Sequence, residues 1–133
     1  MTFFNNIKDF IKLFFPAKYN IDKYDLDYAY KADNHALNQQ SISEIKWVES
    51  NITPQSVVLD IGSNTGRPLA FITKLWRSQT GFGVDININA INIAKANFKS
   101  LDFRVFNGND LPFDDCIFDH IMIHHVIGHV QSP

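Results

Sequence analysis

The chain has 133 residues, 45% of them hydrophobic, which allows one domain with a real core. A formal charge of −2 supplies no basic field for nucleic acid, and the single cysteine, Cys116, excludes a disulfide framework and fits a reducing cytoplasm. No apolar run approaches the ~20 residues of a membrane-spanning helix, and the N-terminus lacks the basic start and unbroken apolar block of a secretory signal.

In chain order, Phe3, Phe4, Ile7, Phe10, Ile11, Phe14 and Phe15 recur at helical spacing, with Lys8, Asp9 and Lys12 opposite, and Pro16 ends the pattern. This predicts an amphipathic helix that docks on a domain; peripheral contact with a membrane surface is the alternative. Residues 17–36 are rich in Tyr, Asp, Lys and Asn and read as a connector. Ser41 to Asn51 reads as a helix with Ile42, Ile45 and Val48 on one face, opened by a Ser41/Glu44 capping box.

Pro54 then breaks the chain before a first strand, Ser56 to Ile61. Gly62-Ser63-Asn64-Thr65-Gly66 follows directly, and Pro68 sits where a first helical position tolerates proline, with Leu69, Ile72 and Leu75 as the apolar stripe. A second strand, Gly81 to Asp85, leads to a helix from Ile88 to Lys99 with Ile88, Ile91, Ala94 and Phe98 along one side. Asp102 to Phe106 is a third strand and Phe118 to His124 a fourth. This alternation predicts an α/β, Rossmann-like parallel sheet. Two units are expected: residues 1–53 as N-terminal helix, connector and second helix, and residues 54–133 as a ligand-binding domain.

In such sheets ligands sit outside the carboxyl ends of the strands, and the polar residues gather there. A strand running into a glycine turn lets backbone N–H groups approach a ligand closely. Asp85 closes the second strand 19 residues beyond Gly66 (85 minus 66), near the ~20 that separate a glycine loop from a ribose-binding acid. His124, His125 and His129 include an i, i+4 pair, but no Glu follows the first His and no Cys or carboxylate stands at ligand spacing; no metal is expected. Substrate-side acid–base work and an ordinary strand-end role remain open for them.

Leu59-Asp60-Ile61-Gly62-Ser63-Asn64-Thr65-Gly66 resembles the Leu-Asp-x-Gly-x-Gly-x-Gly loop of class I S-adenosylmethionine-dependent methyltransferases, with Asn64 in place of the middle glycine. Asn tolerates positive φ better than most residues, so the turn is expected to survive. Asn107-Gly108-Asn109-Asp110-Leu111-Pro112-Phe113-Asp114-Asp115-Cys116-Ile117-Phe118-Asp119 is similar to the same family's Asp-Ala-x-x-Leu-Pro-Phe-x-Asp-x-x-Phe-Asp segment. His124-His125-Val126 onward is similar to its His-Val-x-Asp-Pro ending. Nicotinamide dehydrogenases share the glycine loop but not this second stretch.

The resemblance covers residues 56–133 and implies a sheet of order three–two–one–four. It implies S-adenosylmethionine as cofactor and a small-molecule acceptor. By position, Asp60 would steady the loop and the methionine amino group, and Gly62, Ser63, Asn64 and Gly66 would surround the methionine part. Asp85, followed by Ile86, would hold the ribose hydroxyls. Asn107, beside Gly108, would meet the adenine amino group through its side-chain oxygen, with Asp110 as substitute. Ile123 and His124 would lie beside the cofactor, and His129 is the candidate base. The family continues through three further strands, so a domain truncated after strand four is expected to bind cofactor without appreciable turnover. Its strand-four edge (Ile121, Met122, Ile123) would then pair with a partner chain or with itself. The alternative from another class is a non-catalytic interaction module that docks through that edge.

Overall fold

A computed structural model describes residue 29 and residues 52–75, 80–124 and 126 of the chain. The expected helices over residues 3–15 and 41–51, and His125 and His129, lie outside the described residues. Four parallel strands form one sheet: β1 (Val57–Ile61), β2 (Thr80–Asp85), β3 (Asp102–Val105) and β4 (His120–Ile123), in the order β3-β2-β1-β4. Helix α1 (Arg67–Leu75) joins β1 to β2, and α2 (Ile88–Asn97) joins β2 to β3. This is the predicted order.

β1 is central because it can be buried on both faces. Val58, Leu59 and Ile61 are at most 1% exposed, the near-continuous apolar run that a covered parallel strand requires. It pairs with β2 through Leu59 opposite Phe82 and with β4 through Leu59 opposite Ile121. Alternation along β1 sends Val58 to one face and Leu59 and Ile61 to the other. On the first face Val58 joins Leu69 and Ile72 of α1, Ile91 and Ala94 of α2, and Phe103 of β3. On the second, Leu59, Ile61 and Val84 lie under Phe106, Leu111 and Phe113.

Among the described residues the second face is thus covered by a loop. Phe82, Phe113 and Phe118 meet edge to face, with ring centroids 5.1–5.5 Å apart, so two aromatic pairs fasten the 106–118 segment to β2 and a third braces the segment itself. Arg104 of β3 completes the fastening. Its guanidinium lies 4.5 Å from the centre of the Phe113 ring, donates to the Pro112 carbonyl at 2.6 Å and pairs with Asp102 at 2.7 Å. At the far end of the segment, Asp119 grips the start of β1: its N–H donates to Val57 O at 2.9 Å and its carboxylate accepts Val57 N–H at 2.8 Å.

Several boundaries differ from expectation. α1 starts at Arg67, so Pro68 is its second residue, which costs nothing because the N–H of that position has no intrahelical partner. α2 ends at Asn97 and not at Lys99, with Phe98 as its cap. Its buried residues are Ala90, Ile91 and Ala94, whereas Ile88 is 58% exposed, because the first turn stands at the sheet's rim. β4 is confined to His120–Ile123.

Candidate functional site

The carboxyl ends of β1, β2 and β3 lie side by side, and each carries part of one polar constellation. β1 ends in the loop Gly62 to Gly66. Gly62 (φ +79°), Asn64 (φ +46°) and Gly66 (φ +81°) all occupy the left-handed region. Asn64 is one of the few residue types that enter it at modest cost, so the turn forms without the middle glycine. The loop is pinned to β2, because Gly62 N–H and Ser63 N–H both donate to Val84 O, at 2.8 and 2.9 Å. Gly66 N–H returns to Ser63 O at 2.8 Å, and Gly66 O accepts the first helical bond, from Ala70 N–H. A Cβ on Gly66 would lie 2.5 Å from the Phe103 ring, and one on Gly62 would run into Val126.

Asp85, at the end of β2, organises the neighbouring pieces. One carboxylate oxygen accepts Asn64 N–H at 2.9 Å and the other accepts Asn87 N–H at 2.8 Å. It therefore ties the glycine loop to the start of α2, where Asn87 caps the helix by accepting from Asn89 and Ala90 N–H. Burial raises Asp85 above the ordinary carboxylate range, opposed by the backbone N–H groups of Asn87, Asn64 and Ile86.

Asp60, one residue before the end of β1, is 1% exposed. Burial first, and then the Asp85 charge, push its pKa up to about 7. Its Oδ1 and the buried Ser63 Oγ have no hydrogen-bond partner among the described residues. Two orphaned polar atoms beside a glycine turn are an expensive arrangement in a closed core, and a natural one where a ligand supplies the missing partners.

The third strand end adds Asn107 and Gly108 (φ +89°). Phe106 N–H donates to Asp85 O at 2.8 Å, so this turn lies directly beside the end of β2. Asn107 Oδ1 accepts both Asn109 N–H and Asp110 N–H, at 2.9 Å each. The side-chain oxygen expected to meet an adenine amino group thereby already accepts two N–H groups of its own turn.

Asp60, Gly62, Ser63, Asn64, Gly66, Asp85, Ile86, Asn107 and Gly108 are thus brought to three adjacent strand ends. Ile123 and His124 stand at the end of β4, on the other side of β1, both half-buried. Sequence reasoning passed over Asn87, Val126 and Arg104. An Asx residue immediately before a helix was the available signal for Asn87. Nothing local marks the other two, whose roles arise from contacts across the sheet.

Residues 59–133 match a family model described as a methyltransferase domain. A curated fatty-acid O-methyltransferase of Mycolicibacterium smegmatis is 31% identical over 67 residues, which are 49% of this chain and 24% of that protein. The chain therefore spans about a quarter of the length of this relative. Among solved structures, the MccD protein is 26% identical with a TM-score of 0.56, covering 62% of this chain and 39% of that one. A Haloferax volcanii methyltransferase, solved in complex with a methyltransferase activator, is 23% identical with a TM-score of 0.61, covering 80% of this chain and 47% of that one. A TehB-like methyltransferase of Corynebacterium glutamicum shares the fold at 21% identity and a TM-score of 0.55, covering 77% of this chain and 60% of that one.

Proposed function

Because the chain belongs to the methyltransferase-domain family, we propose that its strand ends bind S-adenosylmethionine for methyl transfer to a small-molecule acceptor. The observation that carries this reading is the buried Asp60–Ser63 pair of orphaned polar atoms next to a loop held by Asp85. These residues fit the cofactor chemically. A buried carboxylate and hydroxyl without partners suit a ligand with an ammonium group and a nearby positive sulfonium. Asp85 faces the backbone N–H groups of Asn64, Asn87 and Ile86, and a carboxylate's roughly four acceptor sites leave it capacity for a ribose hydroxyl. Gly62 and Gly66 supply the left-handed backbone that turns the loop round the end of β1.

When bound, the cofactor supplies an already activated methyl group, so the protein's task is chiefly positioning. Asp60 and Ser63 would hold the amino-acid end, with Gly62, Asn64 and Gly66 as its backbone cradle. Asp85 and Ile86 would hold the ribose, and the base would lie beside Asn107 and Gly108. Ile123 and His124 would flank the reacting end, and His129 would take the acceptor's proton where one must leave. The match to a fatty-acid O-methyltransferase supports a small acceptor without naming it.

A second reading is favoured by one feature. Among the described residues β4 bonds only to β1, and Ile121 on it is 36% exposed, so its outer edge can add a strand from a partner chain or a second copy. The two readings are compatible.

Calorimetry on the full chain tests the first. S-adenosylhomocysteine should bind wild type and lose on the order of 1.5–3 kcal/mol against Asp85→Ala, since a charged acceptor is removed. Equal affinity of the two proteins would refute the assignment, and a preference for NAD would redirect it to a dehydrogenase-like site.

A further inference from the structure

The turn after β3 carries an inference about which base this site accepts; it rests on the cofactor reading above. The strand order places β3 beside β2 on the side away from β1. A ligand lying along these ends, with its amino-acid part on the β1 loop and its ribose on Asp85, therefore extends its base toward Asn107 and Gly108. Phe106 N–H on Asp85 O holds this turn against the end of β2, so Asn107 is the first side chain beyond that bond.

The hydrogen-bonding character of Asn107 is decided by its own turn. Asn109 and Asp110 N–H groups both point at one side-chain atom, at 2.9 Å each. Two donors require an acceptor, so that atom is the oxygen and the amide cannot be reversed. A carbonyl oxygen has two lone pairs, and both are used. The group left free on this exposed side chain is Nδ2, which can only donate. An aspartate here would differ at one atom: it would keep the same two backbone bonds and offer its second oxygen as an acceptor.

We propose that Asn107 is a specificity-determining residue that offers the base a hydrogen-bond donor, so that this site does not favour a 6-amino purine over a 6-oxo purine. The exocyclic amino group of adenine is itself a donor and gains nothing from Nδ2. A 6-oxo group is an acceptor and pairs with it. A site lacking the matching acceptor forfeits the discrimination that a paired acceptor provides.

The test is calorimetry on the full chain with S-adenosylhomocysteine and S-inosylhomocysteine, for wild type and Asn107→Asp. Wild type should bind the two within about threefold of each other, or favour the inosyl compound. Asn107→Asp keeps the turn's cap and should shift the ratio at least tenfold toward the adenosyl compound, with an unchanged melting temperature in the absence of ligand. A wild-type preference of tenfold or more for the adenosyl compound, or a ratio that Asn107→Asp leaves unmoved, overturns the proposal while leaving the cofactor reading intact. Binding of neither compound to either folded protein overturns both.

Discussion

Asn64 donates its backbone N–H to the Asp85 carboxylate at 2.9 Å while its own φ is +46°. A residue in the left-handed region thus aims the middle of the glycine loop at the acid that ends the next strand. Asn64 Nδ2 also reaches the Ala29 carbonyl, at 3.4 Å. Replacing Asn64 by Gly should leave the loop and ligand affinity within about threefold of wild type, because glycine adopts this φ freely. Asn64→Ala should lower unfolding free energy by about 1 kcal/mol, the left-handed penalty of an ordinary side chain. Paired urea melts check both, and a stability loss as large for Gly as for Ala would assign the effect to the Ala29 contact instead.

Asp60 predicts a pH dependence of defined sign. Its folded pKa, about 7, lies above the ordinary value of 3.8, so the folded protein holds a proton that the unfolded chain has released between these limits. Stability should therefore be greatest below about pH 4, as far as this group is concerned, and fall as pH rises to 7. The fall is about 1.4 kcal/mol per pH unit at most, on the order of 4 kcal/mol in all. Asp60→Asn should flatten that slope, measured by urea melts from pH 5 to 8. If the ionised carboxylate meets a ligand ammonium, affinity should rise with pH up to about 7 and then level. Calorimetry in buffers of different ionisation enthalpy would register the proton released.

Gly66 is at φ +81°, and a Cβ there would lie 2.5 Å from the Phe103 ring and 3.1 Å from Ala94. Both the backbone and the core resist a side chain. Gly66→Ala should cost about 2–4 kcal/mol, the sum of a left-handed penalty and overpacking. A thermal melt reads this directly, and a loss below 1 kcal/mol would mean that Phe103 yields easily.

Arg104 holds the 107–113 turn from β3 through the Pro112 carbonyl and the Phe113 ring, and is itself paired with Asp102 of the same strand. Asp102 and Arg104 are about two-fifths exposed, so their charge pairing adds little, and the bond to Pro112 and the stacking should dominate. Arg104→Lys loses the planar fork and should behave much like Arg104→Ala. In both, hydrogen exchange at Asn109 and Asp110 should quicken while β1 amides keep their protection. Wild-type exchange in the lysine variant would show that charge alone suffices.

The strand–helix alternation and the place of the glycine turn were legible in the sequence, because each rests on local chemistry; the sheet order was legible through the family resemblance. β1 is apolar but for Asp60 since it is buried on both faces, and Gly62 and Gly66 stand where the backbone turns left-handed. The cap formed by Asn87 was legible in principle for the same reason. What the tertiary structure alone decided is how side chains far apart in the chain divide their hydrogen bonds. Asp85 is a free strand-end acid in the sequence, yet 21 residues of separation from Asn64 close to 2.9 Å once β1 and β2 pair. Arg104 meets Phe113 only because the 106–118 segment folds back over the sheet. Asn107 offers an oxygen on paper, but its turn consumes that oxygen with two N–H groups and leaves a donor outward. Residue type sets which bonds a group can make; only the folded backbone decides which of them are already taken.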